Sequence, residues 1–167
     1  PAAPRLPWEA DPEEFAGGCL QPILKEWLSG SAELPTVCYL QPGAPSRGEA
    51  EPPIGQISIK PAFTSPDNLR QCKDFLEGQA AQSRAQAAVI FARKADVAYP
   101  RVWEGAAKSR WPFGVSDGLF MQLESPTRRY VYFTAVNDDG KGNRSIGETK
   151  ELDPDDFSLF PRLKLKA

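Results

Sequence analysis

The chain has 167 residues, 41% of them apolar and 25% charged, with a formal net charge of −2. That size and balance suit one globular domain and argue against wholesale disorder. No apolar run approaches the roughly 18 residues of a spanning helix, which predicts no membrane span, and the near-neutral charge excludes general attraction to nucleic acid or anionic lipid.

Residues 1–10, "PAAPRLPWEA", read as an extended Pro-rich arm that Trp8 could anchor. Residues 11–167 read as a single domain. The sequence does not begin with Met, so the expectation is a mature form after loss of a targeting peptide, which would place it in an organelle, or a trimmed chain. In "CLQPILKEWLSG", Leu20, Ile23, Leu24, Trp27 and Leu28 fall on one helical stripe. Pro22 fits the first turn of that helix and Gly30 the position past its end.

"TVCYL" (36–40) predicts a short buried strand, and the Pro-, Gly- and Glu-rich loop from Gln41 to Pro53 is the expected mobile segment. "IGQISIK" (54–60) alternates, with Ile57 and Ile59 on the buried face. "SPDN" opens a second helix, with Ser65 as cap and Pro66 at its first position. Leu69, Cys72, Phe75 and Leu76 form its expected buried stripe. The helix either stops at Gly78 or runs on through "QAAQSRAQA". "AVIFAR" (88–93) is a buried strand, and "RVWEGAAKSR" (101–110) a short helix. "GLFMQLE" (118–124) and "RYVYFTAV" (129–136) flank a tight "SPTR" turn. After "NDDGKGN" a further strand is expected around Ser145 to Lys150. The whole is an α+β fold: a mixed sheet of about five or six strands, helices mainly on one face, and a C-terminal antiparallel hairpin.

Two pentapeptides, "DPEEF" (11–15) and "DPDDF" (153–157), concentrate carboxylates. Each is explained as a helix start. Asp caps the free amides, Pro takes the first helical position, the next two acids meet the positive end of the dipole, and Phe turns inward. "NDDGKGN" superficially resembles a calcium loop, but Lys141 stands where an oxygen ligand is needed; a hairpin loop whose residues tolerate positive φ explains it better. No metal and no cofactor is predicted.

There is no His, which excludes Ser-His-Asp and Cys-His catalysis and histidine metal sites. Cys19, Cys38 and Cys72 are far apart and form no CxxC pair, so they suit unpaired thiols in a reducing, intracellular setting. No phosphate-binding glycine loop occurs, and "RYVYFTAV" lacks the glycines of an RNA-binding strand motif, so no specific nucleic-acid binding is expected.

Charge is unevenly placed along the chain. Residues 1–60 hold 4 basic and 8 acidic residues, while residues 84–129 hold 8 basic and 4 acidic. Within the basic stretch, "KSRWPFG" and "TRRY" set Arg beside aromatic rings, the pairing that most often anchors a protein partner. These observations predict a non-catalytic interaction protein, an accessory subunit or docking module of a larger assembly. Arg110, Trp111, Arg128 and Arg129 would form its surface for an acidic protein partner. The alternative is a small-ligand-binding protein, or an enzyme that uses carboxylates or cysteine without histidine. A deep pocket enclosing several Asp or Glu would favour that alternative; a flat apolar patch rimmed by Arg would favour the docking module.

Overall fold

The computed structural model describes residues 6–97, 117–157 and 162–165. The expected helix over 101–110, and with it Arg110 and Trp111, lies outside the described residues. Nine elements follow in chain order: α1 (Pro12–Leu28), β1 (Val37–Gln41), β2 (Gly55–Ser58), α2 (Pro66–Ser83), β3 (Ala87–Arg93), β4 (Asp117–Glu124), β5 (Arg129–Asp138), β6 (Arg144–Leu152) and α3 (Pro154–Phe157). Short 3₁₀ turns at Lys60–Thr64 and Lys94–Asp96 precede α2 and follow β3.

The strands form one six-stranded sheet in the order β2-β1-β3-β4-β5-β6. It is an α+β fold, with the antiparallel hairpin expected near the C-terminus present as β5–β6. Every neighbouring pair is antiparallel, so the sheet is not mixed. The helix α2 does return the chain in the direction of β2, as a crossover should. It delivers β3 to the far side of β1, however, so the two parallel strands never touch.

Helices cover both faces of the sheet rather than mainly one. Phe15, Ile23 and Trp27 of α1 pack with Val89 and Phe91 of β3. Leu69, Leu76 and Ala80 of α2 pack with Ala88, Ile90 and Ala92 from the alternate positions of the same strand. A strand buried on both faces reads as a continuous apolar run, which is what "AAVIFA" is.

The first helix starts a full two turns before the apolar stripe. "DPEEF" and "CLQPILKEWL" belong to the same helix, and Pro22 sits inside it. Pro22 has no N–H to offer the carbonyl four residues back, and that residue is Gly18, beside Gly17; small residues there leave room for the ring. Ile23, Leu24 and Trp27 are buried as the stripe requires, but Leu28, at its C-terminal end, is 44% exposed. In α2, Ser65 Oγ accepts from the Asn68 amide at 3.1 Å, and the helix runs on to Ser83. Phe75 departs from the expected stripe: it is 54% exposed. The face that actually packs is centred on Leu69, Leu76 and Ala80, and Phe75 stands about 100° round the helix from Leu76.

Two segments read as loose are fastened. Over the arm, Glu9 N–H donates to the Leu6 carbonyl at 2.9 Å, which makes a turn there. Gln41 Nε2 donates to the carbonyls of Pro7 and Ala10, both at 2.8 Å, and Gln86 Nε2 to that of Trp8 at 2.9 Å. The loop after β1 is tied to the end of α2. Arg84 donates to Ser46 Oγ at 3.1 Å and to Glu49 Oε2 at 2.7 Å, and a Cβ on Gly43 would come within 2.6 Å of the Arg84 carbonyl oxygen.

Candidate binding cleft

The two predicted docking arginines within the described residues face opposite sides of the sheet. Arg128, in the β4–β5 turn, reaches α1 and donates to Glu13 Oε1 at 3.0 Å. Its side chain stays 58% exposed. Arg129 turns to the α2 face and donates through Nε to Glu124 Oε1 at 2.6 Å. Glu124 is 1% exposed, and Gln122 Nε2 donates to the same oxygen at 2.7 Å. One arginine therefore sits on the surface and the other closes a buried pair: Arg128 lies in the turn and reaches α1, whereas Arg129 opens β5 directly opposite Glu124.

A different set of residues converges at the end of the sheet beside α1. Asp138 and Asp139 come from the end of β5, Glu33 from the exit of α1, Arg93 from the end of β3 and Asp117 from the start of β4. With Trp27 as an apolar wall they line a cleft of about 740 Å³, within the range of ligand pockets. An irregularity in the β5–β6 pairing between Thr134 and Val136 puts one extra residue into β6 here, and such a bulge turns a strand end.

Arg144 organises this cleft. Nη1 donates to the Trp27 carbonyl at 2.8 Å, Nη2 to Glu33 Oε1 at 3.0 Å, and Nε to Asp138 Oδ2 at 3.2 Å. Its guanidinium carbon lies 5.0 Å from the centre of the Trp27 ring, a cation–π geometry. The hydrogen bond to Glu33 raises the Arg144 pKa above its ordinary value. Arg93 makes a parallel arrangement, with Nε donating to Asp117 Oδ2 at 3.0 Å and Nη1 lying 3.7 Å from Glu33. Glu33 thus bridges two guanidiniums while remaining 62% exposed. Among the described residues, four carboxylates face the Arg93 and Arg144 guanidiniums, and the Lys94 charge also acts on Asp117.

The loop "NDDGKGN" builds one wall of the cleft as a self-contained turn. Asp139 accepts from the amides of Lys141 and Asn143 and from the Asn143 side chain, at 2.7, 3.1 and 2.6 Å. The Asn143 side chain leads in pulling the Asp139 pKa below the usual carboxylate value. Gly140 and Gly142 adopt φ of 75° and 91°, as expected of a hairpin loop. No group of three potential metal ligands occurs among the described residues.

The pentapeptides start helices. Asp153 Oδ1 accepts from the Asp155 amide at 2.9 Å. Asp11 takes the N-cap position of α1 without a side-chain cap bond, and Phe15 is buried. The thiols are poor nucleophiles: burial pushes Cys19 and Cys72 up to about 11 and Cys38 higher still.

Sequence reasoning missed the cleft because no short stretch encodes it. Its residues come from five separate parts of the chain, and each has an ordinary local role. The one usable signal was an acidic loop directly followed by Arg144.

The chain matches no protein-family model, no curated protein and no solved structure.

Proposed function

We propose that the protein is a non-catalytic docking module, and that it binds a basic segment of a protein partner in the cleft beside Trp27. The observation that carries this reading is the seat of Arg144. One guanidinium is held by an aromatic ring, a backbone carbonyl and two carboxylates, a set of groups suited to arginine recognition. Carboxylates outnumber guanidiniums around that seat, so it attracts further cationic side chains. Free cysteines fit an intracellular setting.

A second reading keeps an acidic partner at Arg110, Trp111 and Arg128, without Arg129, which is paired with the buried Glu124 on the other face. The exposure of Arg128 favours it, since a surface pair such as Arg128–Glu13 is worth little and can be exchanged.

Calorimetric titration with two short peptides, one rich in Arg and one rich in Glu, separates the two. The Arg peptide should bind, and Glu33→Gln should weaken it at least fivefold. Binding of the Glu peptide alone, with loss in Arg128→Glu, would assign the function to the second reading. Equal binding of the Arg peptide to the parent and Glu33→Gln would remove the cleft from the account.

A further inference from the structure

A second cavity lies on the α2 face of the sheet, remote from the acidic cleft. It measures about 560 Å³ and is lined by Ala80, Ala81, Arg84, Ala85, Lys164 and Leu165, with Gln86 at its edge. Its walls are alanines at the last turn and exit of α2. Ala80 and Ala85 belong to the buried core, and the half-buried Leu165 packs against that core. Among the residues described here, the only charges on the lining are two cations.

The two cations are anchored differently, Arg84 through its side chain and Lys164 through its backbone. Arg84 is the one non-glycine residue with positive φ among the described residues, at 51°. It occupies the helix C-cap, where glycine is the easy choice and an L side chain is strained. The side chain present there is anchored by Ser46 and Glu49. Lys164 is fixed through its backbone, whose amide donates to Glu77 Oε2 at 2.6 Å. Its ammonium lies near enough to Glu77 for the two charges to attract. Glu77 is itself engaged by Lys73 at 2.9 Å.

An apolar chamber of this size with two cations and no carboxylate on its lining is complementary to an apolar molecule that ends in an anion. We propose that this cavity is a binding site for a free medium-chain carboxylate. The hydrocarbon would lie against Ala80, Ala81, Ala85 and Leu165, and the carboxylate would meet Lys164 and Arg84. The site is independent of the cleft beside Trp27, on the other face of the sheet.

The test is calorimetric titration of the full chain with decanoate, decanol and decyltrimethylammonium, each below its aggregation threshold. Decanoate should bind, decanol at least tenfold more weakly, and the cation not at all. Lys164→Glu should cost at least tenfold in decanoate affinity. Arg84→Gly should also weaken binding; it relieves the backbone at that position but releases the loop from Ser46 and Glu49, so its melting temperature is measured alongside. Ala81→Leu, at an exposed position on the mouth, should block binding while leaving the melting temperature unchanged. Equal binding of all three ligands, no binding of decanoate, or full affinity in Lys164→Glu would each overturn the proposal.

Discussion

Arg129 and Glu124 close the β4–β5 hairpin with a hydrogen-bonded ion pair of 2.6 Å, directly opposite each other in register, with Glu124 buried. Burial pushes the Glu124 carboxyl above its ordinary value, and Arg129 opposes that push. The other carboxylate oxygen, Oε2, is buried without a hydrogen-bond partner. The pair is therefore tense: it needs Arg129, yet one of its acceptors is unspent. Removing one partner of a buried pair leaves the other charge stranded. Glu124→Ala should destabilise the protein by about 3 kcal/mol in chemical denaturation. A loss within the error of the measurement would show that the pair is solvated.

The same pair sets a pH dependence. A carboxyl whose folded pKa is raised contributes stability below its unfolded pKa and loses that contribution as pH rises through the folded value. The unfolded reference is near 4.5. The stability of Glu124→Gln relative to the parent should therefore improve as pH rises from that value towards neutrality, because glutamine carries no charge to bury. A difference that stays flat, or moves the other way, would mean that Arg129 fully offsets the burial.

Gly118 allows the Phe133 ring to cross β4. A Cβ at Gly118 would run into the Cζ and Cε1 atoms of that ring, which in turn packs on Phe120 at 4.8 Å between centroids. Gly118→Ala should cost about 1–3 kcal/mol through overpacking. Combining it with Phe133→Leu should recover the part of that loss due to the ring, while the 2.7 Å approach to the Thr134 carbonyl oxygen remains. If the double variant is worse by the full sum of the two single losses, the backbone of Gly118 and not its missing side chain is what matters.

The two pentapeptides predict unequal effects of one substitution. Asp153 makes its cap bond and Asp11 does not. Asp153→Ala should cost about 1 kcal/mol, and Asp11→Ala only a few tenths. Thermal melts of the two variants side by side decide this; equal losses would mean that dipole charge, not the cap bond, carries the effect.

The periodic features were legible because each is written locally. The stripe around Trp27, the Ser65–Pro66 helix start and the alternation of Leu119, Met121 and Leu123 all sit within a few residues of their cause. The sheet order was not legible. Whether α2 delivers β3 beside β2 or across β1 depends on which apolar faces meet in three dimensions, and both orders satisfy the same pattern. The fates of Arg128 and Arg129 were hidden for a related reason. Their charges were visible, but their partners, Glu13 and Glu124, lie 115 and 5 residues away on opposite faces. A run of basic residues says how much charge exists; the fold decides how much is already spent. The cleft is the extreme case, since Glu33 and Arg144 are 111 residues apart.

That separation makes Arg144 the most informative position in the cleft. Its guanidinium ties β6 to the last turn of α1 through a carbonyl, two carboxylates and the Trp27 ring. Lysine offers the same charge but not the planar fork, so it can satisfy only part of this set. Arg144→Lys should lower stability by about 1–2 kcal/mol, the scale of a lost charge-assisted hydrogen bond. Trp27, which is 3% exposed, fills the core beneath it, and Trp27→Ala should cost about 3–5 kcal/mol. The two residues touch, so their effects should not add. In a double-mutant cycle with Arg144→Ala and Trp27→Ala, a coupling of about 0.5–2 kcal/mol is expected. A coupling of zero would mean that Arg144 is held by Glu33 and Asp138 alone. The ring would then be core to the helix and no part of a guanidinium seat, and the case for recognising a partner's arginine there would lose its aromatic wall.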